Sequence, residues 1–175
     1  MRTPKKSRPN KPYFFVSYSS REPQVNVLIP CLWIAFSKQF EMKLTPSALE
    51  SGASQLAQIT KLIKDCSFAV VVLDGLRPNV VFELGIIHRE GIPTILLKEK
   101  NARVDIQSLL GTAGTVGNVP ELSIDQHLSD IKDLNYLPWT STDPAGTIAE
   151  LYREYCKKRI KIRNSPNVEE PPLWQ

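Results

Sequence analysis

The sequence predicts one three-layer α/β domain, a five-stranded parallel sheet with helices on both faces. Two runs, Ser67 to Leu73 (SFAVVVL) and Ile92 to Leu97 (IPTILL), are apolar almost throughout and rich in β-branched residues. Such runs suit central parallel strands that are buried on both sides. Segments of helical periodicity separate the strand-like runs, and alternation of strand and helix is the pattern of a parallel sheet. A chain of 175 residues with 42% hydrophobic content has the length and composition of one globular domain.

Each element has a local reason. Residues 1–12 are basic and proline-bearing, and read as a loose arm. Tyr13 to Ser19 (YFFVSYS) is aromatic and β-branched, a first strand running into a hydroxyl-rich loop. Apolar positions from Gln24 to Phe40 recur at helical spacing, and Pro30 suggests that this helix begins near it. Met42 to Thr45 reads as a short edge strand. Ala53 to Lys64 places Leu56, Ile59, Leu62 and Ile63 on one helix face. After the strand Ser67 to Leu73 comes a loop, Asp74 to Asn79, then a helix from Val80 to Glu90 stopped by Gly91. Val104 to Leu110 reads as a short helix, Leu137 to Thr140 as the last strand and Ile148 to Ile162 as the closing helix. The domain is thus 13–163, with 164–175 a proline-rich tail or linker. Right-handed crossovers complete that picture, and the expected strand order is 2-1-3-4-5 with Ser67 to Leu73 central.

Composition excludes several classes. The net charge is +4, but the basic residues crowd the two ends, and no basic groove with interleaved aromatics marks a nucleic-acid binder. Cys31, Cys66 and Cys156 are too far apart for a zinc site and too few for a disulfide framework. His88 and His127 lack a second ligand at metal-binding spacing, so no metal is expected. No apolar run is long enough to span a membrane and no secretory leader is evident, so the cytoplasm is the expected compartment. Trp33 and Trp139 read as core or edge aromatics. Gly111 to Gly117 is glycine-rich without a phosphate-loop pattern and reads as a loop near the pocket mouth.

In open parallel sheets ligands bind beyond the carboxyl ends of the strands. Two loops therefore matter, the one after Ser19 and the one from Asp74 to Asn79. Asn79 is expected to cap its helix, because Pro78 bars the preceding residue from helical geometry. Glu83 then stands alone among Val81, Phe82, Leu84, Ile86 and Ile87. An unpaired carboxylate in a core is costly. Glu83 is therefore either a pocket-rim group or the structural partner of Arg77, Arg89 or Lys98. Gly85 either packs the helix on the sheet or leaves room for a ligand.

The stretch SFAVVVLDGLRPNVVFELGIIHREGIPTILL, with its Asn79…Glu83-Leu84-Gly85 pattern, resembles the centre of bacterial TIR-like and nucleoside 2-deoxyribosyltransferase-like domains. The opening FFVSYSS is similar to the start of TIR domains. The likeness covers residues 13–97 and implies a flavodoxin-like, TIR-like fold. It also implies cleavage of NAD+ as substrate, with no separate cofactor, in an effector of antiphage defence, and it maps the catalytic glutamate onto Glu83. Self-association and a sensor domain or protein are implied partners. In the first loop Tyr18 can stack on a base, while Ser17, Ser19 and Arg21 can meet ribose or pyrophosphate. Strand alternation sets Tyr18 opposite in facing to Ser17 and Ser19. Asp74 is either a substrate-holding acid or a turn residue before Gly75, and Arg77 either a phosphate contact or the partner of Glu83. Asn79 completes the expected substrate-binding set.

Cleaving the nicotinamide–ribose bond expels a neutral base, so one carboxylate suffices, and a helix N-terminus would help keep it ionised. A deoxyribosyltransferase reading needs a second acid, for which Asp74 is the candidate. A non-catalytic TIR scaffold, signalling by self-association, would make Glu83 structural.

Overall fold

The strand that nucleates the sheet is β3 (Phe68–Val72), every residue of which is buried. Its side chains alternate between two cores. Phe68, Val70 and Val72 join one hydrophobic cluster, while Ala69 and Val71 join the other. A computed structural model of the chain describes residues 11–44, 54–100, 103–104, 122–123 and 135–157. Around β3 lie β1 (Tyr13–Ser17), β2 (Glu41–Leu44), β4 (Thr94–Glu99) and β7 (Leu137–Trp139), all parallel, in the order β2-β1-β3-β4-β7. This is the order expected from the sequence, with β3 at the centre.

One face of the sheet is covered by α1 (Val25–Phe36) and α4 (Pro144–Lys157), which pack on each other. Their core holds Phe14, Phe36, Phe40 and Phe68 in edge and stacked contacts, with Tyr155 against them. Such ring pairs stabilise by roughly 0.5–1.5 kcal/mol each beyond the area they bury. The other face is covered by α2 (Gln55–Asp65) and α3 (Pro78–Arg89) over Phe15, Ile63, Val80 and Ile87. Cys31 and Cys66 are buried, one in each core.

Four boundaries differ from expectation. Helix α1 begins at Val25 and carries Pro30 inside it, since Val25, Leu28, Cys31, Leu32 and Phe36 bury one stripe that outweighs the missing backbone bond. Helix α3 begins at Pro78, not at Val80, because proline's fixed φ and absent N–H suit a first helical position. Helix α4 begins at Pro144 rather than Ile148 for the same reason. Arg103 and Val104 form a strand, β5 (Arg103–Val104), instead of opening a helix. It pairs antiparallel with β6 (Leu122–Ser123) and lies beside the single-turn 3₁₀ segment Asp74–Leu76. The rest of the expected helix to Leu110, the Gly111 to Gly117 loop, His127 and the segments 1–10 and 158–175 lie outside the described residues. Helix α3 stops as expected at Gly91, whose φ of +62° closes the helix end, with Gly91 N–H donating to His88 and Ile92 N–H to Ile87. Among the described residues no helix is long and apolar enough to cross a membrane.

Candidate active site

Where the chain leaves β1 and β3 at their carboxyl ends, two polar groups meet from below and above. Ser17, the last residue of β1, shares the facing of Phe15 toward α3. Glu83 on α3 points back at it, and the Ser17 hydroxyl donates to Glu83 Oε2. Both are almost wholly buried, Glu83 at 2% exposure. The expectation of a rim position is therefore corrected. The carboxylate is drawn inward because Val80, Glu83, Ile86 and Ile87 make one stripe at helical spacing. His88, further round the same helix, is exposed, as its spacing requires.

The capping expectation is also corrected. Arg77 is the N-cap residue, its carbonyl accepting from Val81 N–H, and Asn79 lies exposed within the first turn. Glu83 is thereby six positions into the helix, beyond the turn over which a helix end exerts its field. Ser17, rather than the helix end, orients the carboxylate.

Asp74 belongs to a different environment. It is buried, and its Oδ1 accepts the backbone N–H of Glu99 at 2.7 Å, tying the end of β3 to β4. The indole of Trp139, which packs in the α1–α4 core, lies near the same carboxyl. Neither Asp74 Oδ2 nor Trp139 Nε1 closes a hydrogen bond among the described residues. Burial pushes the Asp74 carboxyl up to about 6, against the opposing pull of the Glu99 N–H and the Trp139 indole, with Glu99 and Glu22 adding repulsion. Ser17 and Glu83 thus meet on the α2–α3 side of the sheet, while Asp74 is engaged by the backbone of β4 and lies near Trp139 of β7.

The remaining candidates scatter. Tyr18 packs partly buried against the α1–α4 core, opposite in facing to Ser17 as alternation demands. Ser19 is buried and its Oγ accepts from Arg21 N–H at 3.3 Å, while Arg21 itself is exposed. Arg77 pairs with Glu22 at 3.6 Å, and Arg89 pairs with Glu90. Sequence reasoning overlooked Glu22. Its carboxylate oxygen lies 2.2 Å from where a Cβ on Gly75 would stand, so Gly75, at φ +72°, serves both the turn and the approach of Glu22. The signal for Glu22 was its place in the hydroxyl-rich loop, three residues before the first residue of α1. Gly85 is exposed with no atom within 4 Å of a built Cβ, so it does not pack α3 on the sheet. Among the described residues no cluster of three metal-ligating side chains exists.

The chain has an α/β, TIR-like fold with a buried glutamate at the carboxyl end of its parallel sheet. Among solved structures the chain is similar to the TIR domains of the activated Roq1 resistosome, which directly recognises the pathogen effector XopQ. The TM-score is 0.53 at 14% identity, over 81% of this chain and 97% of that one, a likeness of fold. No protein-family model and no curated protein matches the sequence.

Proposed function

We propose that this chain is an NAD+ glycohydrolase that cleaves the nicotinamide–ribose bond, working as an effector of antiphage defence. The observation that carries the reading is the burial of Glu83 against Ser17 at the carboxyl end of the parallel sheet. The other buried acid near the strand ends, Asp74, accepts the backbone N–H of Glu99 on β4. A single carboxylate suits a leaving group that needs no proton. In NAD+ the C1′–N bond breaks, nicotinamide departs neutral with the bonding pair, and positive charge develops at the ribose. Glu83 stabilises or captures that centre, and water then adds to C1′ and releases a proton. Ser17 holds the carboxylate in orientation. Because Glu83 is covered, ribose reaches it only after neighbouring side chains move.

The deoxyribosyltransferase reading asks Asp74, whose Oδ1 is engaged by the Glu99 N–H, to protonate the leaving base. Assembly belongs to the proposal, since the structural neighbour is a TIR domain of an activated resistosome, and a sensor domain or protein is the natural trigger. Incubation of the full chain with NAD+, following free nicotinamide by chromatography, tests the function. Release that depends on Glu83 supports it. Absence of release at high protein concentration, together with deoxyribosyl exchange between nucleosides, would replace it.

A further inference from the structure

At the amino ends of β1 and β2, the end of the sheet away from Glu83, the surface opens into a groove of about 590 Å³. Trp33, Phe40 and Met42 give it an apolar wall, and Lys11 and Lys38 stand exposed at its rim with one carboxylate, Glu41. Lys11 donates to the Ser37 carbonyl and so closes over the end of α1. Trp33 lies outside the stripe that α1 buries and is 57% exposed. A lone exposed aromatic is ordinary on a surface. This one forms the side of a concavity with two cations against one anion, the arrangement that receives an acidic segment with an apolar end.

We infer that the groove holds the chain's own residues 168–174, VEEPPLW. Helix α4 delivers the chain to this place. In its last turn the Tyr155 hydroxyl donates to Gln39 Oε1 at 3.4 Å, and the Tyr155 ring lies 5.9 Å from that of Phe40. The chain from Lys157 to Val168 reaches at most about 36 Å, enough to cross a groove that Phe40 itself lines. Between them Lys158, Arg159, Lys161 and Arg163 are repelled by the lysines of the groove, so the fitting stretch is the acidic one that follows. Glu169 and Glu170 complement Lys11 and Lys38 in charge. Pro171 and Pro172 preset a polyproline conformation at little entropic cost, and such segments dock in aromatic-lined grooves. Leu173 and Trp174 supply apolar surface to set against Trp33 and Met42. A short tether holds the segment at about 1 mM relative to the groove, so a contact with a Kd of about 0.1 mM is closed about nine-tenths of the time. Docking there leaves the carboxyl end of the sheet open. The inference does not rest on NAD+ cleavage and is tested without it.

The three indole N–H resonances of the full chain test the contact, with Trp139 in the core as the monitor of the fold. The wild type is studied at about 50 µM, well below the effective concentration of the tether. Its Trp174 resonance is expected to stand away from its position in urea, and Trp33→Ser should return it there while Trp139 stays in place. Glu169→Lys with Glu170→Lys should lower the closing equilibrium about tenfold or more and move the Trp33 and Trp174 resonances together. Trp174→Phe, with its smaller ring, should lower it about tenfold, so that Trp33 stands open about half the time. A wild-type Trp174 resonance already at its urea position, or one unmoved by Trp33→Ser, would overturn the assignment. Shifts that grow with chain concentration up to about 1 mM, the mark of a second copy in the groove, would overturn it as well.

Discussion

Glu83 and Asp74 are both buried carboxyls near the same end of the sheet, yet their surroundings give them different consequences. For Glu83, substitution by Gln keeps the shape and an acceptor for the Ser17 hydroxyl while removing the charge. If it meets the ribose, NAD+ turnover falls about 10²-fold or more, equivalent to roughly 2.7 kcal/mol or more of transition-state stabilisation. Melting temperature and nicotinamide release, measured on one preparation, separate catalysis from stability. An unchanged rate in Glu83→Gln would end the catalytic assignment. For Asp74 the consequence lies in stability against pH. Its folded pKa, about 6, is above the 3.8 of an ordinary aspartate, so the folded state binds the proton more tightly than the unfolded state. Stability from this group is complete below about pH 4 and falls as pH rises through 6, by at most about 3 kcal/mol at 1.36 kcal/mol per unit. Asp74→Asn keeps an acceptor for the Glu99 N–H and does not ionise. It should melt higher than wild type at pH 7.5 and converge with it near pH 4, as thermal scans across pH will read. Equal melting temperatures at pH 7.5 would contradict the burial argument.

At the level of elements, the turn between β3 and α3 joins most of the local constraints. Gly75 at φ +72° admits Glu22 over it, and Glu22 in turn holds Arg77, the cap of α3. Gly75→Ala would keep the residue in a left-handed conformation that costs about 1–2 kcal/mol for a side chain and would displace Glu22 from its pairing. A drop in melting temperature of several degrees is expected, and an unshifted melt would show that the turn relaxes freely. The elements were legible where burial is two-sided or periodic. SFAVVVL, IPTILL and the stripe of α2 need few long-range facts to be read. Less legible were the ends, where Pro30, Pro78 and Pro144 support more than one start, and β5, two residues long, whose partner Leu122–Ser123 is far away in sequence. The site was legible as Glu83 and the two loops. Its inward turn was not, because whether a lone acid faces rim or interior depends on Ser17, brought alongside only by the parallel register of β1 on β3.

For the whole molecule, the proposed function joins assembly to chemistry, so rate and association should rise together. Specific activity, per mole of chain, is expected to increase with concentration over the range in which sedimentation shows association. Activity strictly proportional to concentration there would separate the two. A last consequence belongs to light rather than to heat. Trp139 is 2% exposed beside the Asp74 carboxyl, while Trp33 stands 57% exposed on α1. Among the described residues the chain thus carries two unlike fluorophores, and Trp174 is its third tryptophan. In Trp174→Phe, iodide should extinguish the red-shifted emission of Trp33 and spare the blue emission of Trp139. With Trp33→Phe added, the surviving blue band should change in wavelength or intensity as Asp74 titrates near pH 6, and the same variant carrying Asp74→Asn should be blind to pH, so that a buried proton is read optically in the intact fold.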